Sequence, residues 1–207
     1  NELTNLIQYG LKICWCSDYR SFKKLVPSLQ EHPDAIIVTA DDDVYYAKDW
    51  LERLYSAYLE DNNSIHCHKA TKFSYEKGKF SAIGGGKKYY HKASFLNKLV
   101  GVGGVLYPAN SLDGEVVNSE LFNRLAPTND DIWFWFMAIK AGTRINVVKG
   151  NHPKPVDAYG SQSTIKLTDI NDNGDMLFWS QFNDLISYYP EIRNALISEM
   201  KQNYVRG

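Results

Sequence analysis

The sequence predicts an α/β domain in which a mixed sheet is flanked by helices. Short apolar segments, typical of buried strands, alternate with segments whose apolar residues recur at helical spacing. An acidic run directly follows the most apolar strand, at the strand end where open α/β sheets bind ligands. The chain has 207 residues, 44% of them hydrophobic. That is enough for one substantial core, so we expect a single domain over residues 1–207.

The first part of the chain predicts a strand and then a helix. Residues 11–16 have the composition of a short buried strand. Apolar residues at helical spacing follow, with Pro27 expected near the start of the helix or at a kink. Residues 35–39 form a continuous apolar run, which is the mark of a central parallel strand covered on both faces.

The pattern continues with a helix over residues 48–60 and a strand over residues 64–70, which completes a βαβ order. The buried stripe expected on this helix consists of Trp50, Leu51, Leu54, Tyr55 and Tyr58. Residues 71–99 are polar, aromatic and glycine-rich, with a loop expected at residues 84–88.

The second half of the chain begins with glycines that lead into a strand over residues 105–107. Polar and acidic residues 127–131 predict a helix start, and the helix continues to Ala141, with Gly142 as its cap. A half-buried strand is expected over residues 144–148. Two final helices, over residues 176–189 and 191–204, are separated by Pro190.

Composition limits the class of protein. The net charge of −1 argues against a nucleic-acid binder, which usually carries a basic excess. No apolar run approaches the ~20 residues that span a bilayer, so no transmembrane segment is expected. Three cysteines, an odd number and thinly spread, do not form a disulfide framework and indicate a reducing compartment.

Three carboxylates, Asp41, Asp42 and Asp43, stand at the end of the most apolar predicted strand. Neighbouring carboxylates repel one another and raise each other's pKa, and a divalent cation removes the energetic cost of this repulsion. Ligands that are all oxygen suit Mg²⁺ or Mn²⁺, which would also hold a diphosphate. Acids in turns often only cap a helix or face water, but the abrupt junction with the apolar strand favours a metal site.

A second acidic pair, Asp130 and Asp131, opens the predicted helix that follows residue 129. The helix dipole stabilises acids in a first turn whatever their function. Helix capping accounts well for one aspartate and less well for two adjacent ones.

Three segments in order resemble GT-A glycosyltransferases, especially bacterial enzymes similar to glycosyltransferase family 2. They are AIIVTADDDVYYAKDWLERLY, GVGGVLYPANSL and LAPTNDDIWFWFMAIKAGTRI. The resemblance extends from about residue 12 to residue 189. It implies a GT-A (Rossmann-like) fold and transfer of a sugar from a nucleotide-sugar donor to a glycan or lipid-linked acceptor. It further implies dependence on Mn²⁺ or Mg²⁺, an inverting reaction and a role in polysaccharide synthesis. The setting would be cytoplasmic, with peripheral contact at the inner face of the membrane.

The resemblance also assigns a role to each acidic residue of the first cluster. Asp43 would bind the metal, and Asp41 would contact the metal or the sugar nucleotide. Asp42 belongs to the same nucleotide-binding turn, or points away from it. His152, in a loop after the last strand, would complete the metal shell, although a lone loop histidine is usually a surface residue.

In the second pair, the resemblance makes Asp131, or Asp130, the general base that takes the proton of the acceptor hydroxyl. A base at a positive helix end would have a lowered pKa, which Trp133 and Trp135 would offset by desolvation. The same tryptophans are alternatively placed to stack on the acceptor sugar.

Four further residues are expected near the donor. Gly103 and Gly104 would let the backbone approach the donor sugar, although a tight bend explains them equally well. Lys23, together with its neighbour Lys24, would reach the diphosphate, although a solvated helix face is the alternative.

The chain departs from the family at its start, where relatives carry another strand and helix. We expect this first nucleotide-binding strand to be absent, or reduced to residues 1–10.

Two other functions stay open. One is a nucleotidyltransferase, which would carry a basic glycine-rich loop near its start. The other is a non-catalytic nucleotide- or sugar-binding module of the same fold.

Overall fold

The computed structural model describes residues 2–83, 89–150, 155–158 and 176–205, and within these ranges the chain forms seven α-helices and nine strands. The helices are α1 (Glu2–Leu6), α2 (Val26–Glu31), α3 (Trp50–Glu60), α4 (Ser119–Leu125), α5 (Asp130–Lys140), α6 (Met176–Tyr188) and α7 (Pro190–Val205). The strands are β1 (Ile37–Thr39), β2 (Val44–Tyr45), β3 (Ile65–Cys67), β4 (Ala70–Glu76), β5 (Lys79–Ile83), β6 (Asn97–Leu99), β7 (Val105–Tyr107), β8 (Ile145–Val147) and β9 (Val156–Asp157). None of these helices combines the length and the apolar character needed to cross a membrane.

The central sheet has the strand order β1-β7-β3-β8. Strand β7 is antiparallel to both β1 and β3, and β3 is parallel to β8. Strands β1, β3 and β8 therefore run in one direction, and β7 runs in the other. The predicted α/β architecture with a mixed sheet is confirmed. This topology brings the carboxyl ends of β1, β3 and β8 to the same sheet edge as the amino end of β7.

The prediction of a central parallel strand at residues 35–39 is wrong. Strand β1 pairs antiparallel with β7 and is the terminal strand of the described sheet. Ile37 and Val38 are only partly covered, and Ile36, just before the strand, is 42% exposed. An apolar run identifies a strand, but not which strand lies beside it, and here β7 separates β1 from β3.

The strand predicted at residues 11–16 is also wrong. This segment forms no strand, and Trp15 within it is 95% exposed. The described residues before Ile37 contain only helical turns and irregular chain. Within the described ranges, no neighbouring strand supplies the backbone hydrogen bonds that a strand over residues 11–16 would require.

Helix α3 covers one face of the central sheet, and its predicted position is confirmed. Leu54 packs with Leu106 of β7 and with Val148 in a small apolar cluster. The predicted buried stripe is narrower than expected, because Leu51 is 51% and Tyr55 48% exposed.

Helix α5 covers the other face and forms the centre of the main core. All its residues from Ile132 to Ile139 are buried, as expected for a helix that is apolar all round. The Asn129 side chain accepts a hydrogen bond from Ile132 N at 3.0 Å, which fixes the helix start. Gly142, with a φ of +79°, follows the end of the helix, as predicted.

A second sheet, with the order β5-β4-β6, was not predicted. Strands β4 and β5 form a hairpin whose two turn residues, Lys77 and Gly78, have φ values of +49° and +82°. Such a turn matches the right-handed twist of the two strands. The predicted loop at residues 84–88 lies outside the described residues.

A third, two-stranded sheet adjoins the turn that carries Asp41, Asp42 and Asp43. Strand β2 begins directly after Asp43 and pairs antiparallel with β9. Ala158 N donates to the backbone oxygen of Asp43 at 2.8 Å. Residues 155–158, which follow β8 in sequence, are thus held against the turn that carries the three aspartates.

Candidate active site

Both predicted acidic segments, residues 41–43 and residues 130–131, reach the same edge of the central sheet. Asp41 follows β1, and Asp131 lies in the first turn of α5. Gly101, just before β7, donates its backbone N–H to Asp131, with distances of 3.0 Å to Oδ1 and 3.1 Å to Oδ2. Because β7 lies beside β1, this hydrogen bond fixes the start of α5 next to the turn that carries Asp41.

Lys24 connects the two acidic pairs. Its Nζ lies 3.0 Å from Asp41 Oδ1 and 3.4 Å from Asp130 Oδ2. Lys24 ends the short 3-10 helix Arg20–Lys24, whose Phe22 is anchored in the core. Of the two lysines expected to reach the diphosphate, Lys23 is exposed, whereas Lys24 lies in the site. The two adjacent lysines point differently because Phe22 fixes which side of this turn faces the core.

A second lysine, Lys98 of β6, was missed by the sequence analysis. It is 8% exposed and interacts electrostatically with Asp131 and Asp130. The available signal was a lysine flanked by the apolar residues Leu96 and Leu99 in a segment that otherwise reads as buried. We use the name acidic cluster for Asp41, Asp130 and Asp131. Lys24 interacts electrostatically with all three carboxylates, and Lys98 interacts with those of Asp130 and Asp131.

The pKa values in the cluster follow from burial and charge. Burial, followed by repulsion from Asp130, raises the pKa of Asp131, against the opposing influence of Lys98, Lys24 and the Gly101 N–H. Burial also acts to lower the pKa of Lys24, but the attraction of the three carboxylates outweighs it, and the net shift is upward. For Lys98, burial dominates and its pKa is lowered.

The two members of the second pair have different surroundings. Asp130 is 7% exposed, and its Oδ2 accepts no hydrogen bond, having Lys24 as an ion-pair partner instead. Asp131 is half-buried and is held by the Gly101 N–H. The expected lowering of the base pKa by the helix end is overcome at Asp131, where burial raises it.

The hypothesis that tryptophans of α5 stack on a sugar is wrong. Trp133 and Trp135 are fully buried. Their indole N–H groups donate to Val116 O at 3.0 Å and to Phe95 O at 2.7 Å. Both rings are therefore committed to the core, where their hydrogen bonds join α5 to neighbouring loops.

Tyr46 fixes the first acidic turn and was not identified from the sequence. Its hydroxyl accepts a hydrogen bond from Asp41 N at 2.9 Å and lies 3.4 Å from Val102 O, to which it can donate. Its ring lies against that of Trp50, with 4.5 Å between the ring centroids. The turn is thus tied both to α3 and to the glycine-rich segment before β7.

The metal prediction can be compared with the donor atoms present. The side chains of Asp42 and Asp43 are exposed, whereas Asp41 is engaged by Lys24. Over the described ranges, no three His, Cys, Asp or Glu side chains converge as a ready-made ligand group. His152 lies outside those ranges. The carboxylate oxygens of the turn nevertheless suit Mg²⁺ or Mn²⁺, and the cluster has three carboxylates against two ammonium groups.

The glycines before β7 allow close packing within the protein. A Cβ at Gly104, whose φ is +89°, would lie 2.5 Å from Trp50 Nε1. At Gly103 it would lie 3.2 Å from the Cβ of Lys69. Trp50 Nε1 also donates to Gly103 O at 2.7 Å. The space that these two glycines leave beside them is occupied by side chains of the chain itself, which supports the tight-bend alternative.

The chemistry available at this edge is that of a site lined by carboxylates, with two ammonium groups nearby. Its carboxylates can bind a cation or accept a proton, and its lysines can contact an anion. Comparison with protein-family models gives no match for this chain, and comparison with curated protein sequences gives none either.

Proposed function

We propose that the chain is a GT-A glycosyltransferase that moves a sugar from a nucleotide-sugar donor to a hydroxyl of a glycan or lipid-linked acceptor. The observation that carries the proposal is the meeting of Asp41 with Asp130 and Asp131 at one sheet edge. The two acidic segments are far apart in sequence, and both belong to the resemblance. Purely capping or solvent-facing acids would not need to be joined through Lys24.

The fold supports this reading at a coarser level. A mixed sheet flanked by helices is the architecture that the resemblance implies, and the acidic turn follows a strand of that sheet. Ligands of open α/β sheets bind at this edge.

Asp131 is the proposed general base. It takes the proton of the acceptor hydroxyl as that oxygen bonds to the anomeric carbon, and the bond from that carbon to the diphosphate oxygen breaks. The electron pair leaves with the nucleoside diphosphate, and a single displacement of this kind inverts the anomeric centre. The raised pKa of Asp131 makes it a stronger base than an exposed aspartate. Gly101 N holds the carboxylate in place.

Asp43 and Asp41, together with His152, which lies outside the described residues, are the proposed ligands of Mn²⁺ or Mg²⁺. When bound, the ion would stabilise the negative charge of the departing diphosphate as a Lewis acid. The exposed side chain of Asp43 is free to turn toward a cation. Tyr46 holds the backbone of Asp41, so the turn keeps its position when its side chains move.

We also propose a reducing, cytoplasmic setting, with the acceptor reached at the inner face of the membrane. All three cysteines are free thiols: Cys14 and Cys16 are exposed, and Cys67 is buried. Two exposed thiols so close in sequence are more readily kept reduced in such a compartment.

The test is release of nucleoside diphosphate from a panel of nucleotide sugars, with Mn²⁺ and with candidate glycan acceptors. The wild type should consume at least one donor. Asp43→Ala should lose at least 100-fold of that activity, whereas Asp34→Ala, which removes an exposed carboxylate before β1, should keep it. Equal activity of Asp43→Ala and wild type would refute the assigned role. Donor binding without any release would favour the non-catalytic binding module.

A further inference from the structure

We propose that Lys24 is a built-in counter-cation of this site, which occupies Asp41 and must be displaced when a divalent cation binds there. The inference rests on the proposed function in one respect, namely that the acidic turn takes up a divalent cation. It goes beyond that function by assigning to one residue of the chain a direct competition with the metal.

The first argument is position. The Lys24 ammonium lies between carboxylates of both acidic segments, 3.0 Å from Asp41 Oδ1 and 3.4 Å from Asp130 Oδ2. Its side chain is 25% exposed and that of Asp130 is 10% exposed, so solvent screens this contact only in part. A Cβ at Gly101 would lie 3.3 Å from Lys24 Nζ and 2.9 Å from Asp131 Oδ1. The absence of a side chain at Gly101 is therefore what lets the ammonium and the carboxylate approach the backbone here.

The second argument is charge. Lys24 interacts electrostatically with all three carboxylates of the acidic cluster, whereas Lys98 interacts only with those of Asp130 and Asp131. Removing Lys24 therefore leaves Asp41 with neither ammonium group beside it. An oxygen of Asp130 that accepts no hydrogen bond depends on this ammonium for its compensation. Such an excess of partly buried negative charge binds cations, and a lysine and a divalent ion satisfy it in mutually exclusive ways.

The third argument is that lysine is suited to leaving. Its ammonium sits on a flexible four-carbon stem and acts as a point charge, unlike the rigid fork of arginine. Once released from Asp41, the same ammonium would be available to the oxygens of the donor diphosphate.

The decisive experiment uses Mn²⁺ alone and compares two adjacent lysines. Free Mn²⁺ is measured by its electron paramagnetic resonance signal during titration of wild type, Lys24→Met and Lys23→Met. Both substitutions remove one positive charge from the same turn, but the Lys23 side chain is exposed and outside the cluster. We expect Lys24→Met to bind Mn²⁺ at least tenfold more tightly than the wild type, and Lys23→Met to lie within about threefold of it, since exposed charges are largely screened.

Three results would overturn the inference. If Lys24→Met binds Mn²⁺ no more tightly than Lys23→Met, Lys24 does not compete, while Mn²⁺ binding by the wild type and the proposed function both stand. If Lys24→Met binds more weakly, Lys24 helps to build the metal site instead of occupying it. If no variant binds Mn²⁺ at millimolar concentration, the metal part of the proposed function fails together with the inference.

A measurement on the wild type keeps the inference testable should Lys24→Met not fold. Acetylation of individual lysines by acetic anhydride is followed by mass spectrometry with and without Mn²⁺. Lys24 should react more slowly than the exposed Lys23, because its amine is only partly exposed and is held between two carboxylates, and saturating Mn²⁺ should raise its rate at least fivefold. Equal rates at the two lysines without metal, or no change at Lys24 with metal, would contradict displacement.

Discussion

Replacing Gly104 by alanine tests whether the lack of a side chain at this position makes room for the indole ring of Trp50. The residue has a φ of +89° and a ψ of 142°, a conformation that alanine adopts only with strain. A Cβ there would also lie 2.5 Å from Trp50 Nε1, well inside van der Waals contact. The backbone around it is fixed by the hydrogen bond from Trp50 Nε1 to Gly103 O, so neither partner can easily move.

The expected loss of stability is the sum of these two effects. Backbone strain at such a position costs about 1–3 kcal/mol. Overpacking against a held indole adds roughly 1–3 kcal/mol. A total near 4 kcal/mol corresponds to a fall in Tm of about 8–16 °C for a domain of this size.

The assay is thermal and urea unfolding of Gly104→Ala beside two controls. Gly142→Ala has a similar φ of +79° but nothing within 4 Å of its Cβ, so only the backbone cost of about 1 kcal/mol should appear. In a Trp50→Ala background, Gly104→Ala should likewise lose only the backbone part. The packing argument is refuted if Gly104→Ala costs no more than Gly142→Ala, or costs the same with and without Trp50.

The remaining predictions concern Asp131 and the anchor of α7. Asp131→Asn should abolish sugar transfer. It should not lower Tm near neutral pH, because burial and the charge of Asp130 both disfavour the ionised carboxylate of the wild type. A clear fall in Tm would contradict this. Since the folded-state pKa of Asp131 is raised, its favourable contribution is present below the unfolded pKa and is lost as pH rises through the folded pKa. The Tm advantage of Asp131→Asn over wild type should therefore grow with pH. Over the same pH interval, which lies above the usual aspartate pKa, the wild-type kcat/KM should rise with pH. A rise centred on the ordinary aspartate pKa would count against Asp131 as the general base. Glu199→Ala should cost about 3 kcal/mol in urea unfolding, since the 7% exposed carboxylate accepts hydrogen bonds from Ser94, Phe95 and Arg144. Glu199→Gln, which keeps an acceptor oxygen, should cost less than half as much. Equal losses in the two variants would show that the charge, and not hydrogen bonding alone, holds this anchor.

The elements whose own residues determine them were predictable. Helix α5 has a cap at Asn129, a run of apolar residues and a glycine after its end, and all three signals are local. The same holds for α3 and for β7. The identity of neighbouring strands was not predictable, because the partner of β1 is decided by the long excursion that returns β7 between β1 and β3.

The candidate site divides in the same way. Asp41, Asp130 and Asp131 were found because acids at a strand end and at a helix start are visible in the sequence. The choice between Lys23 and Lys24 depends on how Phe22 is packed, which only the tertiary structure decides. Lys98 reaches the site from a strand that carries no motif, and Tyr46 lies in the first resembling segment, where nothing local marks it as a partner of Asp41. Gly103 and Gly104 received a ligand role where packing against the chain explains them better.

The most direct test of the proposed site is calorimetric binding of UDP, GDP, CDP and dTDP with and without Mn²⁺. It needs neither the acceptor nor the correct sugar. The account predicts that at least one nucleoside diphosphate binds, that Mn²⁺ strengthens this binding at least tenfold, and that Asp43→Ala removes the metal-dependent part. The account is contradicted if none of the four binds to the folded protein, or if neither Asp43→Ala nor the removal of Mn²⁺ changes the binding.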